Sequence, residues 1–210
     1  MGLFSSIMKF ALKEKSDEKE FYDVTSAVIK EFTHKDFDKI CLKCAMDTIL
    51  HPAKDSIRFM IYINDKRKVD NIQFNYKYEN NNLYIVTDID SKNVSGRMEI
   101  WVPRIATAIV NSKFSDISVK NINIDFLEIV TDYGDVNVSI KESNKVSIST
   151  ISGDIVIKLY NNEFKIFANS ENGDVNFDKI SSIKGSKREI HCVSKDGDIL
   201  IKSCNNKFGK

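Results

Sequence analysis

Cys41 and Cys44 stand in a CxxC spacing, the arrangement used by redox dithiols and by half of a zinc site. The surrounding run Ile40-Cys41-Leu42-Lys43-Cys44 alternates like a strand, and residues three apart on a strand project from opposite faces. The two thiols are therefore expected to act separately. No second CxxC and no nearby His pair completes a tetrahedral zinc site. Together with Cys192 and Cys204 they are expected as free thiols in a reducing compartment, because no export signal is recognised. His34, His51 and His191 are scattered, and no Ser/His/Asp or Cys/His set emerges from spacing. The aspartates at 116, 135, 154, 174 and 198 could form a carboxylate ladder for Ca²⁺, which takes several hard oxygen ligands. They lack the Gly-Gly-x-Gly-x-Asp spacing of calcium-binding β-rolls, so turn capping is the expected role. Neither a metal, a cofactor nor a catalytic residue is expected.

The elements that position these residues are legible from the glycines. Gly134-Asp135, Gly153-Asp154, Gly173-Asp174 and Gly197-Asp198 are read as structural turns. Seven residues before each glycine stand Leu127, Val146, Ile166 and Ile190; five before stand Ile129, Ile148, Ala168 and Cys192. Two after come Val136, Ile155, Val175 and Ile199, and four after come Val138, Ile157, Phe177 and Ile201. A Ser/Thr column, Thr131, Thr150, Ser170 and Ser194, lies three before. Ser115-Asp116 continues the register upstream, and a degenerate unit centres on Gly96. Apolar alternation on both sides of the turn predicts two short strands per unit, each with one buried face. Glycine offers φ > 0 at the bend, and the Ser/Thr hydroxyls are expected to satisfy turn backbone at the corner.

Near-constant spacing favours an all-β, single-stranded β-solenoid, or β-helix, of roughly 20-residue two-strand coils, successive coils pairing in parallel. A meander of antiparallel hairpins is the alternative. Residues 37–46, 56–64, 72–78 and 83–89 read as strands of an N-terminal β-rich cap. Residues 2–14 and 17–32 carry a weak helical periodicity, giving a short N-terminal helix. The expected division is 1–34 as a helical or mobile segment, 35–105 as the β-rich N-terminal part of the solenoid, and 106–210 as the Gly-Asp repeat.

With 31 basic and 30 acidic residues the net charge is +1, which gives no support to a general nucleic-acid-binding surface. No stretch reaches the roughly 20 apolar residues of an integral membrane segment. A cytoplasmic location is expected. The apolar, Lys-bearing run from Met1 to Lys15 supplies a variant in which the protein sits peripherally on the membrane.

The repeat breaks once. The interval from Gly173 to Gly197 is longer than its neighbours, and Ser181-Ser182-Ile183-Lys184-Gly185-Ser186-Lys187-Arg188 fills the excess as an expected loop. Solenoid insertions collect on one face, which is often the binding face. Lys184, Lys187 and Arg188 are therefore the candidate partner-binding residues, suited to an acidic protein, an anionic glycan or a lipid headgroup.

The recurring Gly-Asp-Ile/Val units, preceded by the Ile100-Trp101-Val102-Pro103 strand, resemble the bacterial putative adhesin family, an uncharacterised β-helical domain. The resemblance covers roughly residues 35–204. It implies a β-solenoid with no catalytic residues to carry over. The expected function is a non-catalytic, adhesin-like binding or scaffold module of unknown ligand. The alternatives are a membrane-associated envelope or stress-response module and a carbohydrate-active enzyme built on a β-helix.

Overall fold

The computed structural model describes residues 27–33, 38–54, 56–63, 72–89, 96–161 and 163–204. The expected short N-terminal helix over residues 2–14 and the candidate His34 lie outside them. Among the described residues the chain is all-β, and no helix is long and apolar enough to cross a membrane. Helical periodicity over 17–32 fails at its end, where Ala27–Thr33 forms strand β1. Its antiparallel register on Ser56–Ile63 (β4) satisfies backbone that the sequence periodicity had assigned to a helix.

The remaining strands are β2 (Lys39–Cys44), β3 (Asp47–Pro52), β5 (Ile72–Glu79), β6 (Asn82–Ile89), β7 (Gly96–Val102), β8 (Ile105–Ser112) and β9 (Ile117–Tyr133). They continue as β10 (Val136–Glu142), β11 (Lys145–Ser152), β12 (Ile155–Leu159), β13 (Lys165–Ser170), β14 (Val175–Asp178), β15 (Glu189–Ser194) and β16 (Ile199–Ser203). One face runs β1-β4-β7-β3-β9-β10-β12-β16-β14. The other runs β5-β6-β2-β8-β9-β11-β15-β13, and the long β9 belongs to both. Pairing through the repeats is parallel throughout, which excludes the antiparallel meander.

The apolar columns meet between the two faces. Leu127, Val146, Ile190, Ile129, Ile148, Cys192, Val136, Ile155, Ile199, Val138, Ile157 and Ile201 are all buried. Fully burying each such side chain contributes about 1.5–3 kcal/mol, which makes these columns the main cohesive element of the stack.

The order of the coils departs from chain order at both ends. The β15-β16 coil does not follow the β13-β14 coil outward; it lies between β11-β12 and β13-β14. At the other end the β2-β3 coil slots between β6-β7 and β8-β9. The expectation that successive coils pair is corrected here. Every coil presents the same column chemistry, so the columns do not encode which coil neighbours which.

The glycines are also used differently from expectation. Of the four turn glycines only Gly153 has a positive φ in the region that favours glycine, +152°. At Gly134, Gly173 and Gly197 the requirement is close approach: an added Cβ would overlap the carbonyl oxygen of Ser115, Gly197 and Gly153 respectively. Stacked turns bring backbone against backbone, and a hydrogen is all that fits.

Candidate functional site

The corner beside each glycine carries a continuous aspartate ladder. The amide of Asp116 donates to Asp47 Oδ1 at 3.1 Å, that of Asp135 to Asp116 Oδ1 at 2.8 Å, and that of Asp154 to Asp135 Oδ1 at 2.9 Å. Asp198 donates to Asp154 Oδ1 and Asp174 to Asp198 Oδ1, both at 2.8 Å. The aspartates thus cap turns, the carboxylates of Asp47, Asp116, Asp135, Asp154 and Asp198 each holding the next coil's amide. Asp47 is a rung that the glycine register missed, because no Gly-Asp pair marks it. Burial raises its carboxyl above the usual range, as does the charge of Asp116; the Asp116 amide and Arg97 offset this only in part.

The Ser/Thr column divides by residue type. Ser170 Oγ donates to the Gly197 carbonyl at 2.7 Å and accepts from the Gly173 amide at 3.0 Å; Ser194 Oγ donates to the Gly153 carbonyl at 3.3 Å. Thr131 and Thr150 are buried with hydroxyls that find no partner among the described residues. The expected satisfaction of turn backbone holds for the serines and not for these threonines.

Cys41 and Cys44 do face opposite ways, half-buried and buried respectively. Burial pushes the Cys44 and Cys192 thiols up to about 12, and it also raises Cys41. The buried Cys44 and Cys192 are therefore not nucleophiles at neutral pH. Among the described residues, no three His, Cys, Asp or Glu side chains converge to hold a metal ion.

The Ser181–Arg188 loop lands at the end of the stack. Because β13 and β14 form the terminal coil, the segment leaving β14 must turn back to reach β15, and it crosses the outer edge of β13. Ser182 Oγ accepts from the Ile166 amide at 2.9 Å, and the Ile183 amide donates to the Phe164 carbonyl at 2.8 Å. Ser186 Oγ donates to the Glu163 carbonyl at 2.6 Å and accepts from the Arg188 amide at 3.0 Å. These bonds cover part of an edge strand that would otherwise offer its backbone to another chain. Lys184 and Lys187 are exposed, while Arg188 is half-buried with Nη1 enclosed and without a partner among the described residues. Glu163, Ile183, Gly185, Ser186, Lys187 and Arg188 line an open groove of about 390 Å³; Lys184 lies outside its lining. Beside it the core columns run out. Ile166, Ala168 and Val175 are only partly buried, and Phe177 is 50% exposed where its equivalents Ile157 and Ile201 are 0%.

A second cluster went unseen in the sequence. Trp101 lies between Arg58, whose guanidinium carbon is 4.2 Å from the ring centroid, and His51, stacked at 4.9 Å. His51 Nε2 meets Glu99 Oε2 at 3.1 Å, and Arg97 meets Glu99 Oε1 at 2.9 Å. Burial alone would raise the Glu99 carboxyl, but the His51 hydrogen bond and the charges of Arg97, His51 and Lys120 outweigh it and hold it below the usual carboxylate range. These residues come from three strands in register, Arg58↔Trp101↔His51, separated by long stretches of chain. Only the period-two alternation of β4 and β7 marked them as one face.

Parallel two-strand coils stacked around a single apolar core define a solenoid-like β-protein. The chain belongs to the Toastrack DUF4097 family, whose model matches residues 47–209. It is similar in fold to a putative cell adhesion protein from Clostridium sporogenes, at 17% identity and TM-score 0.69, covering 84% of this chain and 98% of that one. A putative adhesin from Bacteroides fragilis matches at 15% identity and TM-score 0.38, covering 84% and 96%. No curated protein matches the chain.

Proposed function

We propose that the protein is a non-catalytic, adhesin-like binding or scaffold module. A single-stranded solenoid of roughly 20-residue two-strand coils acts as a rigid rod, and its working contacts lie on the Ser181–Arg188 loop. The observation that carries this reading is the position of that loop. It sits at the end of the stack rather than on a flank, with Lys184 and Lys187 exposed and Arg188 Nη1 without a partner among the described residues, beside an open groove. A guanidinium nitrogen in that state gains from an incoming carboxylate, sulfate or phosphate oxygen. The description of the Clostridium sporogenes relative as a putative cell adhesion protein agrees with this reading.

The test is recovery of partners from the native host with the protein as bait. Replacing Lys184, Lys187 and Arg188 together by Ser leaves the backbone bonds of the loop in place. The variant is expected to melt as the unmodified protein does and to lose the partner. Unchanged recovery would remove the loop from the proposal.

A further inference from the structure

A net charge of +1 conceals a segregation of charge over the surface. Acidic groups gather at the corner ladder, whereas the outer surface of the β4-β7-β3-β9-β10-β12-β16 face carries a row of cations. Arg58, Trp101 and His51 stand in register on adjacent strands. Val119 pairs with Leu50, so Lys120, exposed, follows beside His51. Ser139 pairs with Lys158, and Lys158 pairs with Lys202. From β4 to β16 this row spans roughly 29 Å, at about 4.8 Å per strand.

Two features make the row unusual. Lys158 and Lys202 are directly opposite each other, a like-charge cross-strand arrangement that opposes folding. The carboxylates of this face compensate only in part: Glu99, whose charge Lys120 feels, is bonded to His51 and Arg97, and Asp178, in register with Lys202, makes no ion pair with it among the described residues. Lys120, Lys158 and Lys202 have no salt-bridge partner among the described residues. Their arrangement fits a ligand that brings negative charge at intervals along the stack.

Other polyanions fit less well. Docking on a bilayer needs apolar side chains that insert below the headgroups, and the residues between these lysines are small, polar or half-buried. Single-stranded nucleic acid is held by successive aromatic platforms. The Trp101 ring is flanked on its two sides by Arg58 and His51, which leaves Tyr160 as the exposed aromatic at the border of the row.

We propose that this sheet face docks a linear anionic polysaccharide, laid along the stack across Lys120, Lys158 and Lys202. The proposal rests on the binding-module reading above and assigns it a ligand class and a second surface. It is tested by titrating the full chain with heparin and with polygalacturonate, alongside anionic phospholipid vesicles and single-stranded DNA. At least one glycan should bind, more weakly as salt rises, and Lys120→Ser/Lys158→Ser/Lys202→Ser should weaken that binding by roughly tenfold without lowering the melting temperature. Replacing Lys43, an exposed lysine on β2 of the opposite face, by Ser should change it by no more than about twofold. Absence of glycan binding at low salt, equal binding by the row variant, or equally tight binding of vesicles or DNA through the same lysines would overturn the assignment. Glycan binding that responds only to replacement of Lys184, Lys187 and Arg188 by Ser would overturn this surface and leave the binding-module reading standing.

Discussion

The backbone amide of Asp198 donates to Oδ1 of Asp154 across 44 residues of sequence, while Asp174, 24 residues away, lies on its other side and donates to Asp198 in turn. The last coil of the repeat is therefore enclosed between two earlier ones. This exchange places the Gly173 coil at the end of the stack, and with it the loop that crosses the edge.

Because an added Cβ at Gly134 or Gly197 would strike a backbone carbonyl of the neighbouring coil, Gly134→Ala and Gly197→Ala should each destabilise by about 2–4 kcal/mol. Gly185 has nothing within 4 Å of an added Cβ, and Gly185→Ala should change stability by less than about 0.5 kcal/mol. Urea unfolding of the three variants checks this; a neutral Gly197→Ala would contradict the close stacking.

The corner hydroxyls should separate cleanly. Ser170→Ala removes two hydrogen bonds and should cost about 1–3 kcal/mol. Thr150→Val replaces a buried, unpartnered hydroxyl by a methyl group and should be neutral or stabilising by about 1 kcal/mol. Thermal unfolding of both variants gives the comparison, and equal losses would show that the Thr150 hydroxyl is bonded in solution.

Two carboxyls should give pH dependences of opposite sign. Asp47 is raised in the folded protein, so its favourable contribution is present at acid pH and is lost as pH rises through the folded value. Asp47→Asn keeps the acceptor for the Asp116 amide and should gain stability relative to the unmodified protein as pH rises from about 3 to 7. Glu99 is lowered, so its contribution is present above the ordinary glutamate value and is lost as pH falls through the folded one. Glu99→Gln should therefore cost about 1–2 kcal/mol at neutral pH and progressively less in acid. Melting temperatures of both variants across this range decide it, and parallel profiles would refute the assignment.

The buried columns could be read in the sequence because alternation about a fixed turn is a local property. Leu127, Ile148 and Ile201 fall where it puts them. The opposed faces of Cys41 and Cys44 followed from strand geometry in the same way. Coil order was not legible, since Ile155 would meet Ile199 or Val175 with equally suitable chemistry. The reason for the glycines was hidden too. Close approach depends on the coil stacked alongside, whereas φ is the only property the turn itself displays. Asp47 and the Arg58-Trp101-His51 row depend on pairings between distant strands, which no single segment records.

Coil order is the claim on which the position of the loop depends, and a disulfide reports it directly. With Cys41 and Cys204 replaced by Ser, the buried Cys44 and Cys192 remain protected. Bridging requires Cα atoms within about 7 Å, a separation met by neighbouring strands and not by strands one further apart. Val156 and Leu200 are register partners on β12 and β16, so Val156→Cys/Leu200→Cys should oxidise to an intramolecular disulfide in the folded state. Val156→Cys/Asn176→Cys should remain reduced, because β16 separates β12 from β14. Ready oxidation of the second pair and not the first would show that the coils stack in chain order, and would move the loop away from the end of the stack.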